Sequence, residues 1–219
     1  MIYLEETFNI LPAHPMNLDR FVALAQERLI PACKRLGTKL VAAWTSNVEW
    51  FSQVNQIMEF KDMEALKKFR KDASNDSGWG EYAAELEEIA PERRTRLLEP
   101  LGPIPPEDLH KAIEESKKSP IKVYGLATLE VNPNMMPQFI QGLEVKSPIT
   151  DLIIASWRPI AGSPTQVIDL WKGDILWSKE AYAYQPAIES QKEIMRNLRI
   201  QAPKERIVPI YALPYSPLK

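Results

Sequence analysis

The feature that most constrains this chain is a pattern of segments written twice. An apolar run ending in tryptophan, KLVAAW up to Trp44, precedes NQIMEFKD at 55–62. Further along, LIIASW ends at Trp157 and precedes TQVIDLWKGD at 165–174. Before each pair lies an extended segment closed by proline: Ile2–Ile10 before Pro12, and Ile121–Val131 before Pro133. Tyr3 and Tyr124, like Pro12 and Pro133, stand 121 residues apart, Trp44 and Trp157 stand 113 apart, and Gln56 and Gln166 stand 110 apart. Those changes read as a shorter helix and a tighter hairpin in the second copy, where length changes are tolerated. On the last spacing Glu59 matches Asp169, and Asp62 is paired with Asp174, 112 residues on. Matching residues in a fixed order are the mark of internal duplication.

Each copy reads as β-α-β-β-α-β. In the first, Tyr3, Glu5, Thr7 and Asn9 alternate with Ile2, Leu4, Phe8 and Ile10, the pattern of a half-buried strand. Asn17 is placed to cap a helix whose apolar stripe includes Leu18, Phe21, Ala25, Leu29 and Cys33. Pro31 predicts a kink within it, and Gly37 suits its C-terminal cap. Leu40–Trp44 and Gln53–Phe60 form a hairpin, and Asp62 caps a second helix that SNDSG interrupts before it resumes near Trp79. Thr95–Leu101 is the closing strand. In the second copy a helix covers about Met135–Val145, and Leu152–Trp157 and Gln166–Trp171 form the hairpin. Asp174 caps a helix with Ala181, Tyr182 and Tyr184, and Arg206–Ala212 is the last strand.

This order predicts an α+β fold. Each copy makes a four-stranded antiparallel sheet with its helices on one face. The uncovered faces are too apolar to meet water, so two such sheets are expected to pack face to face as a pseudo-symmetric pair within one chain. The expected division is residues 1–104, a linker at 105–120 with a short surface helix around Glu107–Lys117, and residues 121–219.

Composition narrows the function by exclusion. A net charge of −2 provides no general attraction for nucleic acid or anionic membrane. The one cysteine, Cys33, cannot form an internal disulfide or a multi-cysteine metal site, and on an apolar stripe it reads as a buried inert thiol. Eight glycines, with no GxGxxG or GxxxxGK[ST], give no phosphate-cradling loop. No apolar run is long enough to span a bilayer and no leader pattern opens the chain, so a cytoplasmic location is expected. His14 and His110 lie in a loop and in the linker, apart from any other ligating cluster, so neither metal nor haem is expected. RNA-recognition domains share this strand order, but neither third strand carries the glycines and stacking aromatics they use.

The run IYLEETFNILP, then KLVAAW, NQIMEF and RLLEPL, resembles the NIPSNAP family of the dimeric α/β-barrel group. VYGLATLEVNP, IIASW, TQVIDLW and LPYSPL repeat the resemblance in the second half. It implies ferredoxin-like halves joined in an α/β-barrel and leaves the chemistry open. The chain departs from the family's usual first strand, YELRTY: Leu4 and Glu6, and in the second copy Gly125 and Ala127, stand where that pattern has Glu and Arg. Glu59 and Asp169 stand where the family's third strand commonly carries histidine. No role of those family residues transfers.

Glu59 and Asp169, carboxylates inside apolar strands, are the candidate acid–base groups. Desolvation would raise their pKa and suit them to take a proton from a carbon acid. Pairing with a nearby Arg or Lys is the structural alternative. Trp44, Trp157 and Trp171, with Asn55, could wall a ligand site. Arg158 could hold an anionic group, and Tyr82 and Tyr182 lie on helices that would roof a pocket over the sheet. For these the alternatives are core packing or, for Arg158, a solvated loop. Two functions remain in view. One is an enzyme, without metal or nucleotide cofactor, catalysing proton transfer, isomerisation or cyclisation on a hydrophobic small molecule. The other is a non-catalytic binding or interaction scaffold. The expected partner is a hydrophobic small molecule, with neither nucleic acid nor membrane, and pairing of two such chains as a homodimer is compatible with either.

Overall fold

The computed structural model describes residues 1–13, 15–121, 123–145, 150–173 and 189–219. Two compact units emerge: Met1–Leu98 with Tyr211–Lys219, and Glu99–Ile210. The sequence division at 104 and 120 follows the repeat. The compact units follow contacts, so the C-terminal tail falls in the first unit.

The first unit begins with β1 (Ile2–Asn9), and α1 (Met16–Leu24) follows it. α1 begins on Pro15, not on an asparagine cap; Asn17 instead donates its side-chain amide to the Leu11 carbonyl. The helix passes through a π-helical stretch, Ala25–Leu29, into α2 (Ile30–Arg35). Pro31 lacks an N–H and crowds the preceding turn, and the wider π register stands where that disturbance falls. Gly37 follows with a φ of +68°. Next come β2 (Lys39–Ser46), β3 (Gln53–Phe60), α3 (Met63–Ala73), α4 (Ser77–Ile89) and β4 (Glu92–Pro100). The Asp62 and Asp76 carboxylates accept the backbone N–H groups of Ala65 and Trp79, capping α3 and α4. The strands pair antiparallel in the order β4-β1-β3-β2.

One face of this sheet packs on the helices. Leu4 and Phe8 of β1, and Val54, Met58 and Phe60 of β3, join Phe21, Leu29, Leu66, Phe69 and Tyr82 in one core. Burying each large apolar side chain contributes roughly 1.5–3 kcal/mol. The opposite face is buried as well, although it carries Glu5, Asn9, Gln53, Asn55 and Glu59. β1 is therefore buried on both faces rather than half-buried. The tail closes the unit: the Leu213 N–H donates to the Ala43 carbonyl, the Ala43 N–H donates to Ser216 Oγ, and Tyr215 enters the helix-side core.

The second unit holds α5 (Pro106–Lys118), β5 (Val123–Glu130), α6 (Met136–Glu144), β6 (Ile153–Pro159), β7 (Gln166–Lys172) and α7 (Glu189–Gln201), with β8 (Lys204–Ala212) ending at its border with the first. Its sheet order is β8-β5-β7-β6. The linker helix is more than a surface spacer: α5 buries Leu109, Ala112 and Ile113. Ala127, Leu129, Val167 and Trp171 form the helix-side core with Phe139 and Ala202. The cap expected at Asp174 and the helical residues Ala181, Tyr182 and Tyr184 lie outside the described residues, as does His14.

The hairpins correct the alignment drawn from sequence. Trp44 pairs with Asn55 and Trp157 with Ile168, so both hairpins are equally long. Each also carries a bulge at the same step, Leu40/Ala42 and Ile153/Ala155. The 113-residue spacing thus runs through the whole hairpin. Asp169 corresponds to Gln56, and Glu59 corresponds to Lys172. The sequence match at Gln56 and Gln166 misled because strand sides alternate, and a three-residue shift swaps the faces.

β7 ends against Gly173, whose missing side chain lets its backbone sit on the Val123 carbonyl of β5. A Cβ there would overlap that backbone oxygen, which cannot rotate away. Gly173→Ala should cost about 2 kcal/mol, read as a lower urea midpoint. An unchanged midpoint would mean that the approach is looser than described.

Candidate functional site

In both units the middle of the third strand presents a polar side chain to the helix-side core. In the second unit this is Asp169, only 1% exposed. It shares the face of Val167 and Trp171, opposite Ala127 of β5 and Ser156 of β6. Ser156 Oγ donates to its Oδ1 at 2.6 Å. Burial pushes the carboxyl up to about 7, which that hydrogen bond opposes and the charge of Glu205 reinforces. Glu205 is itself raised by burial and pulled back by Arg199. The Trp171 indole N–H is buried and lacks a partner among the described residues. A proton-accepting carboxylate and a spare donor thus share one face, two residues apart.

In the first unit the equivalent place is Gln56, fully buried. Its amide donates to Glu6 Oε2 at 2.9 Å, and its carbonyl accepts the Tyr215 hydroxyl at 3.2 Å. Glu6, 1% exposed, is also ion-paired to Arg93, whose guanidinium lies 5.6 Å from the Phe8 ring centre. Beside this pair a cavity of about 250 Å³ opens between β1, β4 and helices α3 and α4. Tyr82 of α4 reaches the same core, where burial drives its phenol pKa well up. The sequence alternative had its hydroxyl reaching the surface; instead the oxygen is buried, with Gln56 as its polar neighbour.

The remaining candidates lie elsewhere. Glu59 lies on the other face of β3, with Lys39 Nζ at 3.9 Å, so the structural alternative of an ion pair describes it. It neither matches nor accompanies Asp169. Asn55 is on that face too, accepting the Thr7 hydroxyl at 2.6 Å, with Trp44 opposite it in the ladder. Trp44 is buried, and its indole N–H has no partner among the described residues. Trp157 is buried on the side of β6 opposite Ser156. Arg158 is part of β6 rather than a loop, and donates to Glu99 at 2.6 Å. Tyr182 lies outside the described residues. Cys33 is buried, and its thiol is pushed up to about 12, which makes it inert. Among the described residues no group of three or more His, Cys, Asp or Glu side chains could hold a metal ion, and no helix is long and apolar enough to cross a membrane.

Sequence reasoning missed Glu6, Gln56, Tyr215 and Ser156. Glu6 had a visible signal: it interrupts the apolar series Ile2, Leu4, Phe8, Ile10 at a position where that face should be apolar. Tyr215 had none, because its contact with Gln56 spans 159 residues.

The family model for NIPSNAP matches residues 7–102. This stretch, under half of the chain, is similar to NIPSNAP domains. It contains Gln56, Arg93 and most of the cavity lining, with Leu4 and Glu6 just ahead of it. A search of curated proteins finds no relative by sequence. Among solved structures, a provisionally named monooxygenase from Lactobacillus acidophilus NCFM is 12% identical, with a TM-score of 0.60 over 96% of this chain and 93% of that one. A provisionally named monooxygenase from Fusobacterium nucleatum is 10% identical, with a TM-score of 0.59 over 97% and 92%. An anthrone oxidase-like protein is 13% identical, with a TM-score of 0.51 over 96% and 90%. These likenesses extend the shared fold well beyond the NIPSNAP-like stretch, to nearly the whole chain, and carry no chemistry.

Proposed function

We propose that this protein is an enzyme that moves a proton on a hydrophobic small molecule, with Asp169 as the acid–base group. The observation that carries this reading is a carboxyl 1% exposed in the helix-side core, where burial pushes its pKa up to about 7. A group poised there is divided between its two forms at neutral pH, the condition under which acid–base catalysis is most effective. As carboxylate it takes a proton from a carbon next to a carbonyl, leaving an enolate. As acid it returns that proton to a second carbon. The sequence balances as an isomerisation and needs no co-reactant. The Trp171 N–H, without a partner among the described residues, is the donor available to the enolate oxygen. The finer fold reading, a duplicated NIPSNAP pattern forming a dimeric α/β-barrel within one chain, is supported by likenesses to solved structures that run across both copies.

The test is solvent exchange. A panel of polycyclic, enolisable ketones is incubated with the protein in D2O, and deuterium uptake is read by mass spectrometry. At least one ketone should exchange, with a rate that rises through a midpoint near pH 7, and Asp169→Asn should slow it at least 100-fold. Exchange untouched by that substitution would remove Asp169 from the chemistry. No exchange across the panel would favour the scaffold reading, to which the ion-paired Glu59 and Arg158 are already better suited.

A further inference from the structure

The cavity of the first unit lies apart from Asp169, which belongs to the second, and has a chemistry of its own. Its walls are Leu4, Phe69, Ala73 and Trp79, the last stacked edge-on against Phe69 with ring centres 5.2 Å apart. An apolar cavity of about 150 Å³ holds one benzene ring, so about 250 Å³ has room for a larger, two-ring body. The charges on its lining are Glu6, Arg93 and Arg70. Glu6 and Arg93 neutralise each other as a pair. Arg70, exposed on α3, makes no ion pair among the described residues, so the lining carries one uncompensated positive charge at its solvent side.

We propose that this cavity is a binding site for a small aromatic carboxylate. The two-ring body lies against Phe69 and Trp79, and the carboxylate faces Arg70. An arginine receives a carboxylate through two parallel N–H donors, which selects an anion over a neutral oxygen group. Glu6, buried and paired with Arg93, forms the charged part of the wall away from Arg70. A second anion cannot be accommodated there, because Glu6 would repel it.

The probe is 2-naphthoate, titrated by isothermal calorimetry, with 2-naphthalenemethanol as its neutral counterpart. The carboxylate should bind more tightly than the alcohol and weaken as salt rises. Arg70→Gln should weaken the carboxylate about tenfold and leave the alcohol unchanged. Ala73→Leu, which puts a larger side chain into the cavity, should weaken both at least tenfold. Circular dichroism confirms that each variant is folded. Asp169→Asn should leave 2-naphthoate binding as it was, so failure of the proton-transfer reading and failure of this one are distinguishable. Absence of binding at millimolar naphthoate, equal affinity for the alcohol, or indifference to Arg70→Gln would overturn the assignment.

Discussion

At pH 8, Asp169→Asn should unfold about 10 °C above the parent protein, and at pH 4 the two should agree within a few degrees. The Asp169 carboxyl has an ordinary pKa of 3.8 and is pushed up to about 7 in the folded chain, chiefly by burial. Between those values the folded state holds a proton that the unfolded state has released. Folding stability therefore falls as pH rises through that window. The stability contributed by the protonated, buried carboxyl is fully present below about pH 4 and lost once pH has passed about 7. Each pH unit corresponds to about 1.4 kcal/mol, so the full span is about 4 kcal/mol. A chain of this size shifts its midpoint by roughly 2–4 °C per kcal/mol. Asparagine resembles the protonated acid and keeps a carbonyl oxygen to accept the Ser156 hydroxyl, now 2.6 Å from the carboxyl. It cannot ionise, so it escapes the loss. Melting curves at half-unit pH steps measure this directly, and a constant difference between variant and parent would show that Asp169 titrates normally. Glu205→Gln removes the negative neighbour and should lower the pH at which the loss is complete, which shrinks its total. A carboxylate that costs stability at neutral pH is expected where function requires it.

Arg93→Met should cost about 3 kcal/mol in urea unfolding, three times the cost of Glu6→Gln. The asymmetry follows from burial. Glu6 is 1% exposed, whereas the Arg93 side chain is 39% exposed. Losing the arginine strands a buried carboxylate with only the Gln56 amide at 2.9 Å. Losing the carboxylate charge leaves an arginine that water can reach. The double variant Glu6→Gln with Arg93→Met should therefore be nearly as stable as Glu6→Gln alone, because no buried charge remains. Additive costs in that cycle would mean that the two side chains do not depend on each other. The guanidinium also covers the Phe8 ring, which methionine replaces in part.

The elements were legible in the sequence because they depend on local chemistry. Asp62 caps α3 as its position before an apolar stripe requires. Pro31 disturbs the first long helix where its missing N–H falls. Asn17 failed as a cap because the backbone turned into the helix earlier, at Pro15, and its amide found Leu11. The α+β class and the NIPSNAP resemblance over residues 7–102 follow from the same ordered motifs.

Asp169 stood out by sequence alone, as a charge within an apolar strand. Which face it occupied did not. Glu59 looked like its twin because both follow a glutamine and two apolar residues, yet the ladder pairs Tyr3 with Glu59 and Tyr124 with Lys172. Strand side chains alternate with a period of two, so only the hydrogen-bonded register decides which residue meets the helices. That register assigned Asp169 to a dry core and Glu59 to the reach of Lys39. The sequence by itself determined the strands, most of the described helices and the presence of one carboxylate inside an apolar strand. Tertiary structure alone decided its surroundings, and it brought Tyr215 from the far end of the chain to Gln56, because contacts across long sequence separations leave no local pattern.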